Sequence, residues 1–237
     1  MIPREVVGTA DVPGGPPLRL VRHGGDFIIM LDRNELMSSR MSGSEKALGA
    51  MTCERLRDPG SARLLIGGYG MGFTLRAVLG ALGPGARIVV AELVPGIVEW
   101  ARGPMAAMTG DCLDDARVEL RIEDVGRTIE AGKAGYDAIL LDVDNGPDGL
   151  TREGNDGLYS ARGLERARAA LRPGGVLAVW SAAADAAFTK RSKQAGFAVD
   201  EVRVRARENG KGPIHTIWFA TKSGAAEPRA AAVRSGR

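Results

Sequence analysis

The stretch that decides the fold class is "ARLLIGGYGMGFTLRAVL", residues 62–79. In it a short apolar run leads into four glycines within six residues: Gly67, Gly68, Gly70 and Gly72. An amphipathic helical pattern follows at once. A strand that turns through glycines into a helix is typical of the first unit of a doubly wound α/β sheet, in which ligands bind at the carboxyl ends of the strands.

The rest of the chain continues this alternation of strand and helix patterns. Five apolar segments are predicted strands: Arg63–Ile66, Arg87–Leu93, Val118–Ile122, Asp137–Val143 and Val176–Trp180. The predicted helices are Phe73–Leu82, Pro95–Met108, a short one near Arg127–Ala131, Gly163–Leu171 and Ala183–Ala195. The alternation predicts an α/β, Rossmann-like doubly wound fold with a mostly parallel sheet. The segments "FAVDEVRVRAR" and "HTIWFATK" predict an antiparallel C-terminal edge.

The chain divides into four predicted segments. Residues 1–17, with prolines and glycines toward their end, are predicted to be a flexible arm. Residues 18–60 are predicted to form a small N-terminal extension, with a β-hairpin over 18–31 and then a helix capped by Ser42 or Ser44. Residues 61–222 are the predicted Rossmann-like domain. Residues 223–237, rich in Ala, Gly and Ser, are predicted to be a disordered tail.

Composition excludes several classes of function. The formal charge of +3, from 32 basic and 29 acidic residues among 237, is too mild to indicate nucleic-acid binding. The absence of a long apolar run or an N-terminal apolar core predicts no membrane span and no signal peptide. Cys53 and Cys112 lack metal-site spacing, so we expect two free thiols, no metal and a cytoplasmic location. His23 and His215 receive no predicted role, and a homodimer remains open.

The spacing of the glycines bears on the ligand. In the dinucleotide fingerprint the third glycine follows the second by three residues, whereas Gly68, Gly70 and Gly72 are spaced two and two. The spacing therefore favours a ligand other than NAD. We expect glycine here because a Cβ would meet the ligand or because the backbone needs a positive φ. The predicted cofactor-binding residues of this loop are Gly67, Gly68, Tyr69, Gly70 and Gly72.

Acidic residues end the next two strands. Glu92, followed by Leu93, is placed to accept hydrogen bonds from both hydroxyls of a ribose. Asp124, between Glu123 and Val125, is placed either to reach an adenine amino group or to cap the following helix. A glycine loop, a ribose acid and a base-reading acid on successive strand ends predict an adenosine ligand without a pyrophosphate. That arrangement is similar to class I S-adenosylmethionine-dependent enzymes.

Within that superfamily the order of sequence blocks resembles the spermidine synthase (polyamine aminopropyltransferase) family. The blocks are "LLIGGYGMGFTLRAVL", "VVAELVPGIVEWAR", "ELRIEDVGRTI", "YDAILLDVDNGP" and "ALRPGGVLAVW", and the similarity covers about Leu18 to Trp180. The resemblance implies that Glu92 holds the ribose, Asp124 the adenine, and Asp142 the place of the catalytic aspartate. It also implies S-adenosylmethionine or its decarboxylated form as cofactor and a small-molecule amine as partner.

The chain departs from that family's pattern at four places. The acid after Asp142 is Asp144, shifted by one position from the usual spacing. Ile29 stands where a glutamine is expected, and a tyrosine–histidine pair is absent near Ser44-Glu45. The N-terminal domain is predicted to be a single hairpin. These departures keep two alternatives open, a small-molecule methyltransferase and a nucleoside-binding pseudoenzyme.

The predicted chemistry is displacement at a carbon bound to a sulfonium. Asp142 can accept or orient the proton of an amine nucleophile, and Asp144 can attract a cationic substrate. An Asx turn around Asn145 is the structural alternative for both acids. Asn145 and Tyr159 are further candidates for substrate contact, although Tyr159 can equally be an aromatic residue packed into the following helix.

Overall fold

The computed structural model describes residues 3–143 and 156–223. The strands are β1 (Arg4–Ala10), β2 (Leu18–His23), β3 (Asp26–Leu31), β4 (Asn34–Ser38), β5 (Arg63–Gly67), β6 (Arg87–Glu92), β7 (Val118–Ile122), β8 (Tyr136–Leu141), β9 (Leu171–Ser181), β10 (Phe197–Arg205) and β11 (Ile214–Lys222). The helices are α1 (Gly43–Glu54), α2 (Phe73–Ala81), α3 (Pro95–Arg102), α4 (Ala106–Thr109), α5 (Val125–Ala131), α6 (Asp156–Tyr159), α7 (Ala161–Ala170) and α8 (Ala186–Gln194). A short 3-10 helix spans Cys112–Asp114.

The larger sheet confirms the predicted doubly wound fold. Its seven strands lie in the order β10-β11-β9-β8-β5-β6-β7. The five strands from β9 to β7 are parallel, and β11 pairs antiparallel with both β9 and β10. The chain runs outward from β5 in both directions, first to β6 and β7, then back across to β8 and β9. The switch point between β5 and β8 opens a crevice at their carboxyl ends, where ligands of such sheets bind.

The N-terminal extension is larger than predicted. Strands β1 to β4 form a second, antiparallel sheet, so the expectation of a single hairpin is wrong, as is that of a flexible arm over Arg4–Ala10. The β2–β3 hairpin itself is confirmed, with its turn at Gly24-Gly25. The strand pattern of β1 is hidden because its pairing with β2 shifts between Val6 and Gly8, which breaks the two-residue alternation.

Strand β1 is held by packing against α3 of the larger domain. Glycines make this close approach feasible: an added Cβ at Gly8 would clash with the ring of Trp100, and one at Gly96 would lie 2.5 Å from the Cβ of Ala10. Trp100 and Ala10 are both buried in the same hydrophobic core. Contacts of this kind, between residues far apart in the chain, leave no periodic signal in the sequence.

Two predicted helices differ most from the observed bounds. The helix expected over Pro95–Met108 is broken into α3 and α4, because Pro104 supplies no backbone donor and disfavours helical geometry at Gly103. The helix expected over Ala183–Ala195 begins at Ala186, where the Asp185 side chain accepts hydrogen bonds from two backbone N–H groups. The predicted tail, apart from Ser223, lies outside the described residues. Within the described residues no helix combines the length and apolarity needed to cross a membrane.

Candidate active site

The glycine loop after β5 is shaped by backbone conformation and by protein contacts. Gly68, Gly70 and Gly72 all have positive φ, at 83°, 54° and 72°. A Cβ added at Gly68 would lie 2.5 Å from the carbonyl oxygen of Asp142, so glycine allows the ends of β5 and β8 to meet. Of the two expected reasons for glycine, a positive φ therefore holds at Gly68. At this position the close neighbour is the protein backbone.

Three predicted loop residues shape the site without lining it. A Cβ at Gly67 would lie 2.8 Å from Val125, and one at Gly72 would lie 2.7 Å from the Tyr69 hydroxyl. Tyr69 is buried, and its hydroxyl lies 3.4 Å from the sulfur of Cys112. The contribution of Tyr69 to the site is its backbone N–H, which donates to Glu92 at 2.8 Å.

A cleft of about 1160 Å³, its open mouth included, lies at the carboxyl ends of β5 to β8. Eight of the predicted cofactor-binding residues line it: Gly68, Gly70, Glu92, Leu93, Glu123, Asp124, Val125 and Asp142. The topology thus brings together acids from the ends of three strands that are separate in the sequence.

Glu92 closes β6 and is 4 % exposed. One carboxylate oxygen accepts the N–H of Tyr69 and the other accepts the N–H of Val94, each at 2.8 Å. Burial raises the pKa of Glu92, and these backbone donors oppose the rise. The backbone N–H groups of Gly70 and Leu93 add to this effect, and the carboxyl group still lines the cleft.

Asp124 follows β7 and has the helix-capping role, one of the two that the sequence left open. Its Oδ1 accepts the N–H of Gly126 at 2.7 Å and so caps α5. Asp124 also lines the cleft. Glu123 beside it accepts the hydroxyl of Thr128 at 2.6 Å and lies 3.8 Å from Arg121.

Asp142 lies directly after β8, facing the glycine loop. Its Oδ2 accepts the hydroxyl of Thr74, on α2, at 2.7 Å. Burial raises the pKa of Asp142 to about 6, against the lowering effect of that hydrogen bond. A carboxyl group that titrates near neutral pH can both accept and release a proton under physiological conditions.

Glu45 is an acid of the cleft that the sequence analysis did not identify. It lies in the first turn of α1, is 5 % exposed and lines the cleft. Burial raises the pKa of Glu45 to about 7, with repulsion from the Asp142 carboxylate adding to the effect. Ser44, predicted as a helix cap, instead donates to Glu45 Oε2 at 2.6 Å. The only feature of the sequence that points to Glu45 is that an acidic residue lies on the helix face whose other residues are buried.

The wall opposite the sheet is apolar and comes from the N-terminal extension. Its side chains belong to Val12, Pro16, Leu18, Ile29, Leu31, Leu36 and Met37. Met37 approaches the glycine loop, since a Cβ at Gly70 would lie 2.9 Å from its sulfur. Trp180, on β9, is buried and also lines the cleft.

The remaining predicted site residues do not join this cleft in the described structure. Tyr159 is 3 % exposed, packs edge-on against Phe188 with ring centroids 5.8 Å apart, and donates to the carbonyl of Val143 at 3.2 Å. Tyr159 therefore packs in the core, which was the alternative to substrate contact. It does not line the cleft wall that the described residues form. Asp144 and Asn145 lie outside the described residues. The described part of the chain holds no group of three potential metal ligands.

The fold is of the class I S-adenosylmethionine-dependent methyltransferase type, with a mostly parallel seven-stranded sheet and a cleft at the carboxyl ends of its central strands. Within that class the chain belongs to the spermine/spermidine synthase family, whose domain profile matches residues 50–194. The resemblance inferred from the sequence blocks is thereby confirmed.

Curated relatives agree with this membership. The chain is 37 % identical over 120 residues to polyamine aminopropyltransferase 2 of Pseudomonas aeruginosa, a match that covers 49 % of this chain and 32 % of the relative. It is 33 % identical over 126 residues to a polyamine aminopropyltransferase of Mycobacterium tuberculosis, covering 51 % and 23 %. The matched stretch thus spans a third or less of the length of these relatives.

Solved structures support the fold over a longer range. A spermidine synthase in complex with the transition-state analogue AdoDATO superposes with a TM-score of 0.71 at 17 % identity, covering 93 % of this chain and 73 % of the other. The spermidine synthase from Thermotoga maritima gives the same values. A probable spermidine synthase from Corynebacterium glutamicum gives a TM-score of 0.65 at 16 % identity.

Proposed function

We propose that this chain transfers an aminopropyl group from decarboxylated S-adenosylmethionine to a small amine. The observation that carries the proposal is the cleft itself, in which acids from the ends of three strands and the buried carboxyl group of Glu45 flank one glycine loop. Membership of the spermine/spermidine synthase family and the names of its relatives support the same reaction.

The residues at the sheet edge fit an adenosine group. Glu92 is held by backbone donors, and its carboxyl group, which lines the cleft, suits the two hydroxyls of a ribose. The carboxylate of Asp124 suits an exocyclic amino group. Leu93 and Val125 supply apolar surface on which a base can pack.

The other end of the cleft fits an amine with a short alkyl chain. Glu45 and Asp142 concentrate negative charge that an ammonium group neutralises. Leu18, Ile29 and Trp180 on the facing walls suit methylene groups. A substrate with one cationic end and an apolar body matches this distribution.

The donor, when bound, brings both the electrophilic carbon and its sulfonium leaving group. The protein has two tasks, to hold the amine nitrogen in line with that carbon and to remove a proton from it. We assign both tasks to Asp142, because the hydroxyl of Thr74 holds its Oδ2 and its pKa, raised to about 6, lets it accept a proton near neutral pH. Asp144 is a further candidate for attracting the acceptor.

The proposal is tested by incubating the protein with decarboxylated S-adenosylmethionine or S-adenosylmethionine and a panel of mono- and diamines. We expect methylthioadenosine from the decarboxylated donor. We expect Asp142→Asn to lower turnover by roughly 10²–10⁴, the usual contribution of general base catalysis, with little change in donor affinity.

Other products would change the assigned function. S-adenosylhomocysteine from S-adenosylmethionine would identify a methyltransferase. Donor binding without either product would leave a nucleoside-binding protein. Full turnover by a well-folded Asp142→Asn variant would remove Asp142 from the mechanism and leave positioning alone to account for the rate.

A further inference from the structure

A buried chain of hydrogen bonds leads from the cleft to the last strand of the sheet. Ser44 Oγ lies 2.6 Å from Glu45 Oε2 and 2.9 Å from His215 Nδ1. All three residues are buried: Ser44 is fully enclosed, and His215, on β11, keeps 8 % exposure. The chain therefore begins at a carboxyl group that lines the cleft and ends at an imidazole with residual access to solvent.

We propose that Glu45 shares with Asp142 the proton taken from the acceptor amine, and that Ser44 and His215 conduct this proton out of the cleft. The inference rests on the proposed function, because an amine acceptor is what delivers the proton. It assigns to Glu45, Ser44 and His215 roles that the sequence pattern did not indicate.

The proton balance of the reaction requires such an exit. The acceptor enters as an ammonium ion and transfers one proton to the Glu45–Asp142 pair. Its nitrogen lone pair then forms the new C–N bond, while the C–S bond breaks and its electron pair stays on sulfur. The product amine keeps its own charge, so one proton remains on the carboxyl pair and must leave before the next turnover.

The geometry of this chain of hydrogen bonds supports proton transfer in both directions. When Glu45 is protonated, its O–H donates to Ser44, whose hydroxyl donates to a bare Nδ1 of His215. When Glu45 is ionised, Ser44 donates to Glu45 and His215 Nδ1–H donates to Ser44. A serine hydroxyl can donate and accept at once, so passing a proton along the chain needs only a reversal of these bonds.

Among the described residues, no cation neutralises the pair formed by Glu45 and Asp142. Asp142, after β8, is the charge that acts on Glu45, and α2 contributes only the hydroxyl of Thr74, 3.2 Å from the carbonyl oxygen of Glu45. Lys46, next to Glu45 on α1, pairs instead with Glu208 beyond β10.

The far end of the chain is likewise enclosed by uncharged groups. The His215 ring packs edge-on against Trp180, with centroids 4.8 Å apart. Val204 is its partner on β10. Burial lowers the pKa of His215, so its imidazole is neutral at pH 7 and able to receive a proton.

The first test titrates the carboxyl groups of the ligand-free protein by carbon-13 NMR. We expect Ser44→Ala to raise the pKa of Glu45 by about one unit, because it removes a donor to the ionised form. We expect Glu45→Gln to lower the pKa of Asp142, because it removes a repelling charge. Ser192→Ala is the matched control, since Ser192 is also fully buried and its hydroxyl has no partner among the described residues.

The second test measures turnover with an accepted amine. We expect Ser44→Ala and His215→Phe each to lower kcat by roughly tenfold to a hundredfold, with unchanged donor affinity, while Ser192→Ala keeps the wild-type rate. The double variant Ser44→Ala/His215→Phe should be no slower than the slower single variant, because both residues belong to the same chain of hydrogen bonds. In the pH profile of kcat/KM, the fall on the acid side should move to higher pH in Ser44→Ala and to lower pH in Glu45→Gln.

The two proposals fail in different ways. If the wild-type protein transfers an aminopropyl group but Ser44→Ala and His215→Phe match Ser192→Ala in rate and titration, the proton path is wrong and the function stands. If the wild-type protein transfers nothing to any amine, the role in turnover falls together with the proposed function. In that case the titration shifts still report whether Glu45 and Asp142 share a proton.

Discussion

Glu92 shows how a single residue couples the glycine loop to the ligand site. Its carboxylate is bound on one side by the N–H groups of Tyr69 and Val94 and lines the cleft on the other. Its burial would be costly without these donors. The same side chain therefore fixes the loop backbone and presents a carboxyl group, held by the backbone, to the cleft.

We expect Glu92→Ala to weaken binding of methylthioadenosine or S-adenosylmethionine about 10- to 100-fold, because a hydrogen bond to a charged acceptor contributes about 1.5–3 kcal/mol. Isothermal titration calorimetry measures this directly. Glu99→Ala, which removes an exposed glutamate from α3, is the control and should bind normally. Unchanged affinity in Glu92→Ala would mean that the ribose is held elsewhere.

At the scale of elements, the turn from β5 into α2 depends on where the glycines lie. Gly68 has φ of 83° and faces the Asp142 carbonyl, which belongs to the chain leaving β8. Gly80, inside α2, has open space where a Cβ would be added. The backbone at Gly68 requires glycine. At Gly80 glycine is not required and only adds the entropic cost of ordering a glycine within a helix.

Gly68→Ala and Gly80→Ala should therefore change stability in opposite directions. We expect Gly68→Ala to lower the free energy of unfolding by about 1–3 kcal/mol, through left-handed strain and displacement of the β8 end. Gly80→Ala should raise it by about 0.4–1 kcal/mol. Chemical denaturation measures both, and equal effects of the two substitutions would show that the loop does not tie β5 to β8.

For the whole molecule, the buried acid pair links stability to pH. Glu45 and Asp142 have folded-state pKa values raised to about 7 and about 6, from ordinary values of 4.5 and 3.8. Between about pH 4 and pH 7 the folded protein holds more protons at these groups than the unfolded chain. Their contribution to stability therefore falls as pH rises through that window and stays low above it.

We expect Glu45→Gln to stabilise the ligand-free protein at pH 8 and to have little effect at pH 4.5. The amide keeps an acceptor for Ser44 and removes the charge that repels Asp142. Thermal unfolding at several pH values measures the difference in Tm between variant and wild type, which should grow from pH 4.5 to 8. A difference independent of pH would contradict a carboxyl pair with raised pKa values.

The sequence by itself determined the strand–helix alternation, the antiparallel edge and the acids at the strand ends. These features are local: apolar periodicity defines the elements, and the connection rules of parallel sheets bring strand ends to one edge. Glu92, Asp124 and Asp142 could be identified because each follows a predicted strand. Family membership followed from the order of the same blocks.

Only the tertiary structure decided the far wall of the cleft and the acid pair. Strand β1 was missed because a register shift removes its alternation, and its place is set by packing on Trp100. Ser44 and His215 are separated by 171 positions, and no local pattern relates them. Glu45 faces Asp142 only because α1 packs over the carboxyl end of the sheet. The pKa of a buried carboxyl group depends on its neighbours in space, which a single sequence does not specify.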